Sequence, residues 1–269
     1  MAITPTPIPR GPDPPAGEPK RNLAVNPQPV AIADIRGRES EFTLDHDGFL
    51  AITPPRPDPV NPSSDDDDVD FDDEASIAAR YYPEVTRLLL RHVPGATRVV
   101  LFDHTIRRAR PGSKRAPRAT AASALQRVRR HLPAGDAAAV LAAGTRYRIV
   151  NVWRTLSPQG PLEAHPLAYA SSSTFRDEDA IPVEHRYPGG YTGQTAAVAH
   201  RGDQAWYYWS GMTPDERLLL ECFDSESLKS GNSQVKGGRT PHSAFEDPRT
   251  RPDAEGRESI EVRALVFGP

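Results

Sequence analysis

Two hydrophobic patterns divide the chain into an early helical part and a later strand-rich part. Between Ala75 and His92 apolar residues recur every three or four positions, which predicts an amphipathic helix that ends at Pro94-Gly95. Alanine-rich segments predict two more helices, at 119–131 and 133–143. Runs of β-branched and aromatic residues predict strands at 97–103, 146–154, 205–209, 217–223 and 259–267. This order favours an α+β fold with a mostly β core.

Segment 217–223 also has a second interpretation. Thr213-Pro-Asp-Glu216 is typical of a helix N-terminus, with Thr before Pro and Glu at the third helical position. The pattern therefore leaves a helix open beside the strand.

The distribution of proline predicts where the folded domain begins. Of the 29 prolines, 14 lie in the first 62 residues, which favours extended, solvated chain. Segment 41–52 alternates apolar and polar residues around Asp47-Gly48 and predicts a small hairpin. We expect a disordered Pro-rich segment at 1–40 and a single domain at 41–269, with an acidic linker at 63–74.

Composition excludes several classes of protein. No apolar stretch approaches the roughly 20 residues of a membrane-spanning helix, and the first residues lack the pattern of a secretion signal. The single cysteine, Cys222, can form neither an internal disulfide nor a cysteine-based metal site. We therefore expect a cytoplasmic protein without a membrane partner, in which any metal is bound by His, Asp or Glu.

Charge is distributed unevenly along the chain. Eight of the ten residues from Asp65 to Glu74 are acidic, so the rest of the chain carries +5 although the total is −3. The acidic run precedes the helix at Ala75, where it complements the helix dipole, and it lacks the spacing of a calcium loop. Basic residues gather between Arg107 and Arg130, but no aromatic residue is interleaved among them. This predicts no nucleic-acid partner.

The C-terminal part contains the most suggestive chemistry. Arg257 and Ser259 are two positions apart, so on a strand they lie on one face and together can hold a carboxylate. His242 precedes them by fifteen positions and can bind a metal ion as a neutral imidazole. A surface ion pair and an ordinary loop histidine explain the same residues equally well.

Two further segments supply candidate substrate contacts. Tyr207 and Tyr208 lie in the aromatic run 206–209, where alternate side chains either line a pocket or pack in the core. Asn151 and Arg154 lie on opposite faces of one strand, and an asparagine is unusual in a strand. We therefore assign Asn151, Tyr207 and Tyr208 to a substrate pocket.

Eight sequence blocks, found in order between Phe42 and Phe267, resemble the fungal hydroxylase/desaturase family, which includes a gibberellin desaturase, an aspergillic acid hydroxylase and proteins similar to a cephamycin methoxylation component. The blocks are Phe102–Arg108, Arg127–Pro133, Ile149–Arg154, Trp206–Tyr208, Met212–Glu216, Cys222–Ser225, Pro241–Phe245 and Arg257–Phe267.

The resemblance implies a double-stranded β-helix, or jelly roll, like that of the iron(II)/2-oxoglutarate dioxygenases. It implies an oxidoreductase that hydroxylates or desaturates a small natural product in secondary metabolism, with Fe(II) and 2-oxoglutarate as cofactors. By the same resemblance His242 is the distal iron ligand, and Arg257 with Ser259 forms the 2-oxoglutarate clamp.

One departure from the family concerns the metal. The family has a His-x-Asp pair between its basic loop and the Arg-Val-Arg-Arg-His-Leu block, and this pair supplies two of three iron ligands. Here the interval 114–126 contains neither His nor Asp and is shorter. Adjacent residues of a strand face opposite sides, so Asp103 and His104 cannot both ligate one ion without a bulge.

Three explanations stay open. Other residues replace the pair, with His104, His165, His185 and His200 as candidates; or the chain has lost iron binding; or a missed exon boundary has shortened the interval. Loss of the metal predicts a non-redox reaction such as cyclisation or isomerisation, or an inactive partner subunit.

Overall fold

A computed structural model describes residues 26, 28–53, 69–108, 121–157, 160–186, 192–229, 235–236 and 238–268. Most of the Pro-rich segment 1–40, residues 63–68 of the acidic linker and residues 114–120 of the short interval therefore lie outside the described residues. Among the described residues, no helix has the length and hydrophobicity needed to span a bilayer.

Eleven strands and five α-helices are formed by the described residues. The strands are β1 (Ile32–Asp34), β2 (Phe49–Ile52), β3 (Arg98–Arg108), β4 (Arg146–Thr155), β5 (Leu167–Ala170), β6 (Ala180–Arg186), β7 (Thr192–Val198), β8 (Trp206–Tyr208), β9 (Arg217–Asp224), β10 (His242–Ala244) and β11 (Glu258–Gly268). The helices are α1 (Leu44–Asp47), α2 (Glu74–Ser76), α3 (Tyr82–His92), α4 (Ala121–His131) and α5 (Ala134–Ala142), and a π-helical turn (Ile77–Tyr81) joins α2 to α3.

Two sheets face each other. The larger has the order β2-β9-β4-β11-β3 and is antiparallel throughout, while the smaller has the order β1-β8-β5-β10. Strands β6 and β7 form a separate two-stranded sheet. Neighbours in each sheet are distant in sequence, so the strands alternate between layers as they do in a jelly roll.

Helix α3 covers the outer face of the larger sheet. Its buried residues Val85 and Leu89 pack against alternate strand residues such as Val152 and Val262. Asp73 caps α2 by accepting hydrogen bonds from the backbone N–H groups of Ala75 and Ser76. The acidic residues just before the helix thus include its N-cap.

The opposite, inner face of the larger sheet is apolar at both ends. An aromatic cluster that includes Phe49, Trp153 and Tyr169 fills the space toward the smaller sheet. At the other end α4 and α5 pack on Leu265 and Phe267. The polar residues of the inner face lie between these two clusters.

Segment 41–52 does not form the predicted hairpin. Thr43 caps the single-turn helix α1, and Gly48 ends that helix in the left-handed region at φ 73° before β2 begins. An Asp-Gly pair suits a helix end and a hairpin turn equally, because both need a left-handed residue.

The expected domain boundary at Ser40 is also corrected. Strand β1 pairs in parallel with β8, and Ile35 is completely buried, so the folded part begins before residue 32. Segment 217–224 is a strand, and Thr213-Pro-Asp-Glu216 forms a turn in which the Thr213 N–H donates to Glu216 Oε2.

Candidate active site between the two sheets

A row of polar side chains crosses the inner face of the larger sheet. On β11 the alternating residues Ser259, Glu261 and Arg263 share this face, because side chains alternate along a strand. Residues directly opposite in a ladder lie on the same face. These partners are Arg107, Thr105 and Asp103 on β3, and Thr155, Trp153 and Asn151 on β4.

His242 approaches this row from the smaller sheet. Its side chain is completely buried, and Nε2 lies 3.6 Å from Glu261 Oε2. The Nδ1–H group donates to the Thr240 carbonyl at 3.0 Å, since a carbonyl oxygen only accepts. The imidazole is therefore oriented with Nε2 toward the interior.

Glu261 is the centre of a buried ionic network. Arg263 donates to Glu261 Oε1 at 2.9 Å and to Asp103 Oδ1 at 2.9 Å. Burial alone raises the pKa of a carboxyl group, but His242, Arg263 and Arg107 together lower the pKa of Glu261 to about 2. The site thus contains a buried carboxylate that is ionised at neutral pH and is stabilised by its cationic neighbours.

Arg257 lies just before the first residue of β11, at the edge of this interior. Its Nη1 donates to the His165 carbonyl at 2.8 Å. Burial and the nearby Arg107 charge lower the pKa of Arg257 to about 10, and Glu261 opposes this shift only in part. Arg257 and Ser259 are therefore close to the same polar row, with Arg257 on the loop and Ser259 in the strand.

Asn151 points into the interior from β4. Its side chain is 1% exposed, and neither amide atom has a hydrogen-bond partner among the described residues. Arg154 lies on the other face, where its guanidinium covers the rings of Phe71 and Tyr81. The opposite orientation of these two residues agrees with the strand parity.

The two tyrosines assigned to the substrate pocket face opposite sides of β8. Tyr207 shares the face of His242 through the cross-strand row His242, Tyr169, Tyr207, and its ring packs against Phe42. Tyr208 faces away from this interior, where it contacts Phe245 and accepts a hydrogen bond from Arg249. The assignment of Tyr208 to the interior is therefore corrected, and that of Tyr207 stays a prediction.

The other candidate histidines lie away from His242. His104 is on the helix-covered face, where Nδ1 contacts the Tyr82 hydroxyl at 2.8 Å, while its neighbour Asp103 faces inward. His165 and His200 are exposed. The side chain of His185 lies outside the described part of the chain. His131 stacks on Phe102 at the end of α4.

Three residues of this site were missed by the sequence analysis, namely Arg107, Glu261 and Arg263, and Asp103 was considered only as a metal ligand beside His104. A signal for two of them was present, because charged residues at every second position of an otherwise apolar strand predict a polar row. Arg107 and Asp103 required the register between β3 and β11, which the sequence does not show.

The family model and the similar proteins that match this chain all indicate an oxidoreductase family. Residues 5–267 match a family described as an oxidoreductase/YMDC permease-like domain. The hydroxylase/desaturase PoxK of Penicillium oxalicum is 36% identical over 94% of this chain and 83% of its own length. The hydroxylase/desaturase EfuI of Hormonema carpetanum is 31% identical over 91% of this chain and 85% of its own length.

Two further similarities concern iron enzymes. The Fe(II)/2-oxoglutarate-dependent dioxygenase NvfI of Aspergillus novofumigatus is 30% identical over 95% of this chain and 88% of its own length. A solved structure of the iron and α-ketoglutarate-dependent endoperoxidase NvfI superimposes with a TM-score of 0.78 at 29% identity, covering 95% of this chain and 92% of that one. The predicted jelly-roll fold is confirmed.

The described residues do not fit the two-His-one-carboxylate iron site that the sequence resemblance implies. A two-His-one-carboxylate site needs three converging side chains. Among the described residues, no group of three His, Cys, Asp or Glu side chains is arranged to hold a metal ion. Near His242 the one carboxylate, Glu261, is bound to Arg263. Residues 109–120, which lie outside the described part, contain none of these four residue types in their sequence.

Proposed function

The chain belongs to the fungal hydroxylase/desaturase family of oxidoreductases, and on that premise we propose that its interior binds a small natural product together with a dicarboxylate of the 2-oxoglutarate class. The observation that carries this proposal is the juxtaposition of Ser259, Glu261 and His242 in one buried space, with Arg257 at its edge. The biological setting that we propose for this activity is secondary metabolism.

Each of these residues has a defined part in binding. The guanidinium of Arg257 donates two parallel hydrogen bonds to one carboxylate, and the Ser259 hydroxyl donates a third. His242 presents Nε2 beside the bound acid, because Thr240 fixes the orientation of its ring. Asn151 offers its amide NH2 group as a donor and its amide oxygen as an acceptor to a polar group of the natural product. We derive no oxidative step, since the described residues do not complete an iron site.

Calorimetric titration with 2-oxoglutarate tests this proposal. Arg257→Ala is expected to weaken binding about tenfold or more, because a charge-assisted pair of hydrogen bonds is lost. Ser259→Ala is expected to weaken it by a smaller factor. Arg251→Ala is the matched control, since Arg251 pairs with Glu163 at the surface. The proposal is wrong if the wild-type protein does not bind the acid, or if Arg257→Ala binds it equally well.

The second candidate function is a non-redox isomerisation or cyclisation in the same interior, which fits the observation that the described residues form no three-ligand group. Positioning alone contributes on the order of 7–11 kcal/mol to favourable intramolecular reactions. A succinate assay distinguishes the two functions. The protein is incubated with 2-oxoglutarate, iron(II), oxygen and extracts of small natural products. An oxidoreductase that consumes 2-oxoglutarate releases succinate, whereas a non-redox protein releases none.

A further inference from the structure

We infer that His165 is a positioning residue for the proposed anion site, and that it acts through its backbone rather than through its imidazole. Its carbonyl oxygen, which is held by a left-handed backbone conformation, fixes the guanidinium group of Arg257. This inference rests on the function proposed above, because it explains how Arg257 keeps one orientation toward the dicarboxylate.

The backbone of His165 is strained. Its φ of 51° is the single positive value outside glycine among the described residues. Other residues seldom adopt this left-handed region, and the following Pro166 favours extended backbone before it. The imidazole is exposed, so burial of the side chain does not explain the strain. Strained residues persist only where the surrounding structure maintains them, and they cluster at binding and catalytic sites.

The chain is anchored on both sides of His165. Before it, the Leu162 side chain is buried in the aromatic-rich cluster, and the Leu162 N–H group donates to the Met212 carbonyl at 2.8 Å. After it, the Pro166 carbonyl accepts from the Phe245 N–H group at 3.1 Å. These fixed ends prevent His165 from relaxing to an extended conformation, so the fold sets the direction of its carbonyl group.

The carbonyl group of His165 meets one end of the Arg257 guanidinium. Arg257 Nη1 donates to the His165 oxygen at 2.8 Å. A guanidinium group is planar and carries five N–H donors in a fixed fork, so a hydrogen bond at Nη1 restricts the orientation of the whole group. The edge formed by Nε and Nη2 can then present two parallel N–H groups to one carboxylate.

A backbone carbonyl suits this purpose better than a carboxylate. A carboxylate would neutralise Arg257 and compete with an incoming anion, whereas a neutral carbonyl orients the guanidinium and leaves its charge in place. Burial and the charge of Arg107 disfavour this cation, since both lower the pKa of Arg257. The His165 oxygen therefore also stabilises a cation that its other surroundings destabilise.

Calorimetric titration of full-length variants with 2-oxoglutarate tests this inference. His165→Asn should bind within about twofold of the wild type, because asparagine tolerates the left-handed region. His165→Val should bind about fivefold more weakly, because a β-branched residue turns the backbone and the hydrogen bond to Arg257 is lost. His200→Val is the matched control, since His200 is exposed and has an ordinary φ. Melting temperatures establish that each variant is folded, and His165→Ala replaces a His165→Val protein that does not fold.

Nitrogen NMR of the same proteins without the acid distinguishes positioning from a general loss of structure. The Arg257 side-chain signals, assigned with Arg257→Lys, should show slow rotation of the guanidinium group in the wild type and in His165→Asn, and fast rotation in His165→Val. The inference is overturned if a folded His165→Val protein binds the acid normally, or if its Arg257 rotates as slowly as in the wild type; the proposed function then still stands. If the wild type does not bind the acid, the proposed function fails, and the spectra alone decide whether His165 orients Arg257.

Discussion

Two buried glutamates on opposite faces of the larger sheet have pKa values that are shifted in opposite directions. Glu261 on β11 faces the interior between the sheets, and Glu221 on β9 faces the helix-covered side, as its ladder partner Val150 does. Their exposures are 5% and 0%. The pKa of Glu261 is lowered to about 2, whereas the pKa of Glu221 is raised well above its usual value.

The difference lies in the neighbours rather than in burial. Glu261 receives a hydrogen bond from Arg263 and faces His242. Glu221 is 3.5 Å from Arg148 Nε, but that cation is shared with Asp224, and neither carboxylate oxygen of Glu221 has a hydrogen-bond partner among the described residues. Burial raises the pKa of Glu221 and the charge of Asp224 adds to it.

Glu261 is therefore favoured as an anion in the folded state, whereas Glu221 is favoured as a neutral acid. One backbone segment connects the two sites. The Thr240 N–H donates to the Glu221 carbonyl at 2.7 Å, and the Thr240 carbonyl accepts from His242. A buried ionised group is thus maintained only where the surrounding donors are numerous enough to replace water.

The largest expected effect comes from Glu261→Gln. The substitution leaves Arg263 and His242 without their shared anion, and breaking such a buried pair costs about 3–5 kcal/mol. Urea denaturation measures the loss. The matched control is Glu258→Gln on the same strand, where the half-exposed carboxylate of Glu258 faces Arg108 at 3.5 Å, and a change below about 0.5 kcal/mol is expected. Equal losses for the two variants would show that Glu261 is no more important for stability than the half-exposed Glu258.

Gly48→Ala should disturb both glutamate sites at once. A β-carbon at Gly48 would lie 2.1 Å from Thr240 Oγ1 and 2.7 Å from Ser172 Oγ, at a φ of +73°. We expect a loss of about 2–4 kcal/mol in the free energy of unfolding. Gly37→Ala is the control, because Gly37 has φ +83° but no atom within 4 Å of a new β-carbon, so only backbone strain of roughly 1 kcal/mol remains. Similar losses of stability in the two variants would show that the Thr240 side chain moves away from the new β-carbon at little energetic cost.

Glu221→Gln should stabilise the protein, and the gain should depend on pH. The folded-state pKa of Glu221 lies above that of the unfolded chain, so the folded state binds more protons and wild-type stability falls as pH rises above about 4.5. The variant lacks this loss. The free energies of unfolding of the two proteins, measured by urea denaturation, should agree at pH 4 and favour the variant by about 1–2 kcal/mol at pH 7. Glu246→Gln, at an exposed position, is the control. A gain independent of pH would contradict the raised pKa.

The smallest effect is expected for Asn151→Leu. Replacing a buried amide that has no partner by an apolar group of similar size should stabilise the protein by about 1 kcal/mol. Chemical denaturation measures the change. A ligand that uses the amide should then bind more weakly, which is typical of residues kept for function at the expense of stability. Loss of stability would show that the amide is already hydrogen-bonded.

Most long elements were predictable from the sequence because their patterns are strong. The predicted helix at 75–92 is found as α2, the π-helical turn and α3, and the strand predicted at 259–267 is β11. Short elements were not predictable: β1 has three residues, and its pairing with β8 depends on chain that follows much later. Local sequence does not encode such a partner.

The candidate site was predictable only in part. His242, Ser259 and Asn151 lie in the interior; strand parity predicted that Asn151 and Arg154 face opposite sides, and the rarity of asparagine in strands selected Asn151. Arg107 was not identified, and Asp103 was considered only as a metal ligand, because their place depends on the register of β3 against β11 and on the irregularity beside Arg263. Tyr208 was misassigned because two adjacent strand residues cannot face one cavity.

The parallel pairing of β1 with β8 also bears on biosynthesis. Arg36, just after β1, bonds to Ser210, 174 positions later in the chain. During translation β1 leaves the ribosome long before β8 has been synthesised, so the backbone N–H and C=O groups of β1 that pair with β8 have no partner there during most of synthesis. Deletion of residues 28–36 would leave the edge of β8 uncovered in the finished protein. Truncated proteins that start after Arg36 are therefore expected to aggregate when expressed rather than to yield a smaller soluble domain.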